Sequence, residues 1–457
     1  MGIFSSLSYE QREATVILQI GTFLEYFDLM LYVHMAVLLN DLFFPKTDPH
    51  IARLISATSF CLTFVFRPFG ALFFGYIGDT VGRKSTIIIT TIMMALCSAA
   101  MAMLPTYAQI GITAAWLVTI CRIIQGLSSM GEIIGAQIYL TELIKIPERY
   151  PVVTFIGCAD ILGGFAALAL ATGVLALGMD WRAAFWIGAL IAIVGTVART
   201  ALRETPEFVN AKHQLKKKLE KAKHIVDTDL VLKEDIMVNK KVNQKTSLAY
   251  FFINCARPVW FYFVYIHCAL ILKHSFNYSP QQVIQHNLFL AIIEFIATVF
   301  YARLSYKIYP LKIINVRVFV SFVFIIFVPY LFSNVTTAMQ LFFVQGFICL
   351  FKPTQGPAAA IFIPHFPVFK RFKYVGFLYA LARALMYIIT SFGLVYLTET
   401  FGHWGLLIVL VPVLIGVKYG ISHFEILEKA AGNYPQKNSS NLVNSAEHQV
   451  VDSINLP

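Results

Sequence analysis

The residues able to do chemistry in this chain are ionisable side chains set inside long apolar runs. Glu25 and Asp28 lie in the run 15–38, Arg122 and Glu132 in 112–141, and Asp160 in 152–177. Glu294 lies in 283–303, Lys352 in 336–363 and Arg383 in 372–397. A charge within a membrane helix is costly unless it is paired or hydrated, so each is a candidate for moving protons or holding a polar solute. At roughly 100° per residue, Gly21, Glu25, Asp28 and Tyr32 share one stripe, expected to face a central cavity rather than lipid. Arg122, Gln125, Ser129 and Glu132 form a comparable stripe in the fourth run. Asp28 and Arg122 each sit about ten residues from the predicted outer end of their runs, a depth of roughly 15 Å, and so can meet near the midplane. An Asp beside an Arg is held ionised, and separating the two lets it take a proton, which would couple proton entry to conformational change. A buried ion pair with a purely structural role is the competing reading. Glu25, one turn away, either shares the proton path or caps a polar network. Glu132, roughly 15 Å further along, suits a gate or helix packing better than substrate contact.

The remaining charges suggest how a solute is held. Arg383 and Lys352 suit a carboxylate, and Asp160 or Glu294 an amino or quaternary nitrogen, although each serves equally well as a structural partner. Tyr32 and Gln125 join them as substrate-binding candidates. Tyr26, Tyr262, Tyr265 and Tyr387 can cage a methylated ammonium. With 40 Phe and 21 Tyr in the chain, however, packing accounts for most aromatics. His34 and His267 are proton relays or, more commonly in a membrane, packing residues. The seven cysteines (61, 97, 121, 158, 255, 268 and 349) fall in apolar runs without metal-type spacing, so neither a disulfide framework nor a metal site is expected. No phosphate-binding loop and no catalytic Ser/His/Asp set is evident, so neither a cofactor nor enzymatic activity is expected.

The elements that must carry these residues are membrane helices. Hydrophobic residues make up 58% of the 457 and charged residues 13%, against roughly 45–50% and 25% in soluble domains. Apolar runs at 15–38, 55–78, 86–104, 112–141, 152–177, 182–202, 248–272, 283–303, 313–333, 336–363, 372–397 and 404–424 predict twelve spans. The expected fold is an all-α polytopic protein. It has a six-helix bundle at 1–202, a linker at 203–246, a second six-helix bundle at 247–424 and a disordered tail at 425–457. The first fourteen residues, with Glu10, Arg12 and Glu13, do not read as a removable leader. The net charge of +11 points away from nucleic acid because it sits in the connections between spans. The segments 79–84, 142–151, 203–246, 303–317 and 365–374 hold 22 Lys and Arg, and the alternate loops only Lys46, Arg53, Arg182 and Lys273. Retention of positive charge inside then predicts that both termini are cytoplasmic. The Lys-rich linker is expected to be solvated, with docking on anionic lipid as the alternative.

Between the second and third runs, Gly75, Asp79, Gly82, Arg83 and Lys84 form a charged tight turn. Their spacing resembles the signature loop of the major facilitator superfamily. The first-run Gly21, Glu25 and Asp28 resemble the metabolite:proton symporter family within it. So do Arg67-Pro68, Gly70, Pro105, Arg122, Gln125-Gly126, Gly131-Glu132, Trp181-Arg182 and the segment Glu204 to Phe208. That family includes bacterial proline/betaine transporters, alpha-ketoglutarate permeases and citrate carriers. The resemblance covers residues 15–208 strongly and implies the major facilitator fold. It also implies Asp28 and Arg122 as proton-coupling residues, beside which Glu25 stands as a further candidate by its position. A cytoplasmic gate would be formed by Gly75, Asp79, Gly82, Arg83, Lys84 and Glu132. In that gate Asp79 is expected to stabilise a helix N-terminus of the opposite half, and Arg83 and Lys84 to pair with acids. Thr80 stands where the family commonly has Arg. In the second half the corresponding loop, 302–310, is eroded: Tyr306 stands at the Asp position and Tyr309 at the Gly position.

The resulting expectation is a proton symporter of a bacterial inner membrane, acting as a monomer in the lipid bilayer and importing a small polar metabolite. A compatible solute such as proline or glycine betaine comes first and a di- or tricarboxylate second. A ligand sensor without turnover, derived from a transporter, is the alternative class, resting on the eroded loop. Residues 425–457 lack a sustained heptad pattern, so no coiled-coil osmosensing is expected. The charge asymmetry makes a direct prediction: reporter fusions after residues 81, 225 and 435 should all report cytoplasmic locations. A fusion at 225 that reports the outside would overturn this orientation.

Overall fold

The structure, a computed structural model, describes residues 6–45, 63–223 and 241–435. Regular structure among the described residues is helical throughout. The long helices are labelled α1 (Tyr9–Phe43), α2 (Arg67–Thr80), α3 (Arg83–Met103), α4 (Ile112–Leu143), α5 (Arg149–Ala176) and α6 (Arg182–Thr200). After them come α7 (Gln244–Phe261), α8 (Pro280–Leu304), α9 (Pro310–Asn334), α10 (Ala338–Phe351), α11 (Val368–Ile388) and α12 (Gly405–Ala430). Ten described helices are long and apolar enough to cross a membrane. The other two expected spans behave differently. The run 55–78 begins within 46–62, outside the described residues, and the run 336–363 is not one helix.

Local sequence sets the helix starts. Ser8 with Gln11, Ser279 with Gln282 and Thr337 with Gln340 each form a reciprocal capping box at the head of α1, α8 and α10. Each pair satisfies two backbone N–H groups that the first turn leaves without partners. Pro280 and Pro310 occupy first-turn positions, where the missing N–H costs nothing. α7 and α11 continue through π-helical turns at Tyr262–His267 and Ile389–Gly393 into further α-helix. α12 runs on to Ala430, so the first residues of the expected tail are helical. Residues 436–457 of that tail lie outside the described residues. Between α6 and α7 a polar helix spans Pro206–Lys223 within the expected linker. Lengthwise, α1 packs against α5, α3 against α6 and α7 against α12, while α2 against α11 and α5 against α8 join the earlier helices to the later ones. Leu190, Val194 and Val197 of α6 and Phe319 and Phe327 of α9 are exposed on the outside of the molecule, where lipid replaces water.

The tenth run breaks at Lys352. α10 ends at Phe351, an extended stretch follows, and helical turns resume at Gly356–Ala358 and Ala359–Phe362. Apolar composition alone hides such a break because the residues on either side remain hydrophobic. The freed carbonyls need partners in a membrane, and α9 provides them. Ser321 Oγ donates to the Phe351 carbonyl at 2.6 Å, and Arg317 donates to the carbonyls of Lys352 and Thr354. Arg317→Ala should therefore lower stability by about 1–3 kcal/mol, the cost of leaving buried acceptors unpaired. The expected readout is a lower melting temperature for purified protein in detergent. Melting at the wild-type temperature would show that the break is held by other contacts.

Candidate functional site

Inside the fold, α1, α5, α7, α8 and α11 enclose a cavity of about 320 Å³. Tyr26, Met30, Asp160, Arg257, Glu294, Lys352 and Arg383 reach its wall, alongside apolar and aromatic side chains. A smaller space of about 90 Å³ adjoins it and shares Asp160, Arg257, Glu294 and Lys352. The four charges expected to hold a solute therefore converge, although they come from four separate helical regions. Three of them are paired. Asp160 pairs with Arg257, and Glu294 pairs with Lys352 while accepting a hydrogen bond from Tyr265 at 2.8 Å. The break after Phe351 is what places Lys352 there, at the end of a helix rather than along its side. Arg257, a charge within the run 248–272, meets the criterion applied to the other candidates. It belongs with them although the sequence reading did not single it out.

Tyr32 and Gln125 do not line this cavity. The expected stripe of α1 faces the interior of the first six helices instead, and Tyr26, Leu29, Met30 and Val33 take the cavity side. Each member of the stripe finds its partner on α2, α3, α4 or α6. Glu25 lies 3.7 Å from Arg67, both side chains fully buried. Gly21 leaves room for the Arg199 guanidinium, which a Cβ there would overlap. Tyr32 lies under Arg122, with the guanidinium carbon 3.9 Å from the ring centre. Facing inward lets cations on neighbouring helices compensate the acids, whereas the cavity already holds Asp160 and Glu294.

Asp28 and Arg122 come together, but not as a direct ion pair. Gln125 stands between them. Its Nε2 donates to Asp28 Oδ2 at 2.6 Å, and its Oε1 accepts from Arg122 Nη1 at 3.0 Å. Ser98 donates to the other carboxylate oxygen, Asp28 Oδ1. Ser98 carries no charge and was not a sequence candidate. The expected ion pair is thus relayed through an amide, because Arg122 is drawn aside onto the Tyr32 ring. His267 sits among the rings of Phe263, Phe332 and His403. The side chains of His34 and Glu132 lie outside the described residues. Six cysteines are buried and unpaired, and no group of three or more His, Cys, Asp and Glu among the described residues could hold a metal ion.

At the basic end of the bundle, α2 and α11 meet backbone to backbone. A Cβ on Gly75 would lie 2.5 Å from the Lys373 Cα. Asp79 accepts from the backbone N–H of Phe372 at 3.0 Å and of Lys373 at 2.9 Å, within the second turn of α11. Arg83 bonds Glu142 through Nε at 3.2 Å and Nη2 at 3.1 Å, and Nη2 also donates to the Val368 carbonyl at 2.7 Å. Glu142 accepts as well from Arg371 at 2.9 Å and from Thr205 at 2.6 Å. Gly82, with φ of +150°, lets the Glu204 carboxylate reach the Arg83 and Lys84 N–H groups and cap α3, where a Cβ would lie 2.0 Å from its oxygen. Lys84 departs from expectation: its ammonium donates to the Thr200 carbonyl at 2.9 Å rather than to an acid. Glu142, the centre of this network, falls one residue past the fourth run, where a lone Glu reads as an ordinary solvated loop residue.

The eroded loop is bridged differently. Tyr309 donates to Glu428 near the end of α12, and His365 meets the other Glu428 oxygen at 2.8 Å. Burial, and then the Glu428 carboxylate, hold the Tyr309 phenol well above its ordinary pKa, so it remains a donor. The Tyr434 ring packs on Tyr309 just beyond α12.

The family model for the Major Facilitator Superfamily matches residues 18–393. A proline/betaine transporter of Salmonella typhimurium is 34% identical over 208 residues, covering 43% of this chain and 41% of that protein. An inner membrane metabolite transport protein of Escherichia coli is 36% identical over 208 residues, covering 43% and 47% respectively. The aligned stretch is thus less than half the length of either relative. Among solved structures, a proton:xylose symporter bound to 6-bromo-6-deoxy-D-glucose superposes with a TM-score of 0.74 at 14% identity, covering 91% of this chain and 95% of that one. A human organic anion transporter reaches 0.64 at 14% identity, covering 91% and 99%. At that identity the likeness concerns the fold.

Glu142 supplies a test of the basic-end network. Glu142→Ala removes the carboxylate that two buried guanidinium groups share while Arg83 keeps Asp79 at 3.5 Å and Arg371 keeps Glu207 at 3.0 Å, so a loss of about 1–3 kcal/mol is expected. Thermal unfolding of purified protein should show it as a lower melting temperature. Melting at the wild-type temperature would remove Glu142 from the network that holds this end together.

Proposed function

The chain belongs to the Major Facilitator Superfamily, and on that footing we propose that it is a secondary transporter moving a small polar metabolite together with a proton. The observation that carries the reading is a charged central cavity lying between helices whose basic ends are locked by Asp79, Arg83, Glu142 and Arg371. Breaking the lock and parting α2 from α11 would expose the cavity from that end, which is the basis of alternating access. In this reading the basic end and both termini are cytoplasmic, the membrane is a bacterial inner membrane, and transport is inward. The six helices on each side of the linker form the two moving halves. Gly75, Asp79, Gly82, Arg83 and Lys84 serve as the gate, joined by Glu142, Glu204 and Arg371.

Asp28 is the proposed proton site. Its carboxylate is buried, accepts from Ser98 and Gln125, and is linked to Arg122 through an amide able to turn. A change in helix packing that withdraws either donor alters what the ionised form gains, and so ties protonation to conformation. Glu25, beside Arg67, is the second candidate.

For the solute, a compatible solute of the proline or glycine betaine type is the first proposal, supported by the relatives at 32–34% identity whose names carry those solutes. A di- or tricarboxylate is the second, supported by the three cations of the cavity wall. Uptake of labelled betaine, proline, alpha-ketoglutarate and citrate into proteoliposomes separates them, and counterflow separates any transporter from a sensor without turnover. Coupling has its own test. Asp28→Asn cannot cycle between charged and neutral forms, so accumulation against a gradient under an imposed pH difference should vanish while solute binding persists. Accumulation at the wild-type level would eliminate Asp28 and leave Glu25.

A further inference from the structure

The charges lining the central cavity do not balance. Among the described residues its wall carries three cations, Arg257, Lys352 and Arg383, and two carboxylates, Asp160 and Glu294. Both carboxylates are engaged, Asp160 by Arg257 and Glu294 by Lys352 with Tyr265. Arg383 is left over. Its Nη2 donates to the Tyr26 hydroxyl at 3.2 Å, and its guanidinium lies 4.6 Å from the centre of the Tyr379 ring. Its Nε–H has no acceptor among the described residues, and the residue is only 3% exposed. A guanidinium cannot shed its charge, and phenols compensate a buried cation only in part.

We propose that Arg383 is the anchor for the substrate's carboxylate, and that the solute carries one such group on an apolar or methylated body. This rests on the transport reading of the same cavity. The single number follows from the pairing: one uncompensated cation offers one carboxylate a partner. A second or third carboxylate would have to break the Asp160–Arg257 or Glu294–Lys352 pair and leave an acid stranded. The body follows from the rest of the wall. Phe64, Phe261, Tyr265 and Tyr387 form a contiguous aromatic cluster, with Phe64 and Tyr387 centres 4.3 Å apart and Phe261 and Tyr265 centres 5.3 Å apart. Such rings accept methyl groups or a quaternary ammonium and offer little to a hydroxyl-rich solute. The planar fork of Arg383 suits a carboxylate held by two N–H groups, which an ammonium at the same position could not reproduce.

The test compares equilibrium binding of glycine betaine, its methyl ester and citrate to purified full-length protein and to Arg383→Gln. The ester keeps the quaternary ammonium and loses only the carboxylate charge. Betaine should bind wild-type protein on the order of 10- to 100-fold more tightly than the ester, the scale of a charge-assisted contact. Arg383→Gln should lose that margin while binding the ester as wild type does, and citrate should bind more weakly than betaine. Ester binding also shows that the variant is folded. If the variant does not fold, the acid-to-ester ratio on wild type decides alone. Equal affinity for betaine and ester, tighter binding of citrate, or no binding of betaine overturns the assignment. Counterflow of bound betaine keeps this separate from transport: binding with the expected acid-to-ester ratio but without exchange upholds Arg383 and overturns the transport reading.

Discussion

Glu142 compensates two guanidinium groups contributed by distant parts of the chain, Arg83 at the start of α3 and Arg371 in the first turn of α11. All three side chains are buried at a point where water would otherwise screen them. The same constraint recurs throughout the molecule. A charge removed from water must be met by another charge or by oriented dipoles, or the group cannot stay ionised. Arg67 meets Glu25, Arg257 meets Asp160, Lys352 meets Glu294, and Asp28 is met by the dipoles of Ser98 and Gln125. The helix positions follow from these pairings as much as from apolar packing, because a sliding or rotating helix would strand an ion.

This constraint also explains what the sequence conveys and what it hides. Apolar runs broken by Gly and charged turns located the long helices well, since length and composition decide whether a segment can cross lipid. The spacing from Gly75 to Lys84 marked a charged hairpin, and the charges inside apolar runs marked four of the five charged residues on the cavity wall, all but Arg257. The direction of the α1 stripe was not legible. Periodicity groups Gly21, Glu25, Asp28 and Tyr32 on one face but does not say which neighbours that face meets. Partners matter here more than the period. Arg67, Ser98 and Gln125 lie 42 to 97 residues from the acids they serve, so no local pattern announces them.

The break at Lys352 was hidden for a related reason. Hydropathy averages over a window, and a helix that stops inside an apolar run leaves no trace in the average. What permits the stop is Arg317, on a different helix, which satisfies the carbonyls that the stop releases. Irregular backbone at membrane depth is tolerated where protein surrounds it or where it borders a polar space, and here both hold. The loop at 302–310 shows the opposite case. It lost the expected acid and glycine, yet Tyr309 still ties its end of the fold to α12 through Glu428. A phenol and a carboxylate do the joining that the first half assigns to formal charges.

The contact between α2 and α11 has a consequence for temperature. Where Gly75 faces the Lys373 Cα, the two chains touch through main chain rather than through large side chains. Parting them uncovers peptide groups at Gly75 and apolar surface at Gly78, which faces the Phe372 ring, and peptide hydration lowers the heat capacity while apolar hydration raises it. The two terms partly offset along this seam. A transition that opens it should carry a smaller heat-capacity change than an apolar interface of the same area, and the balance between closed and open forms should then follow a straighter van 't Hoff line than such an interface imposes.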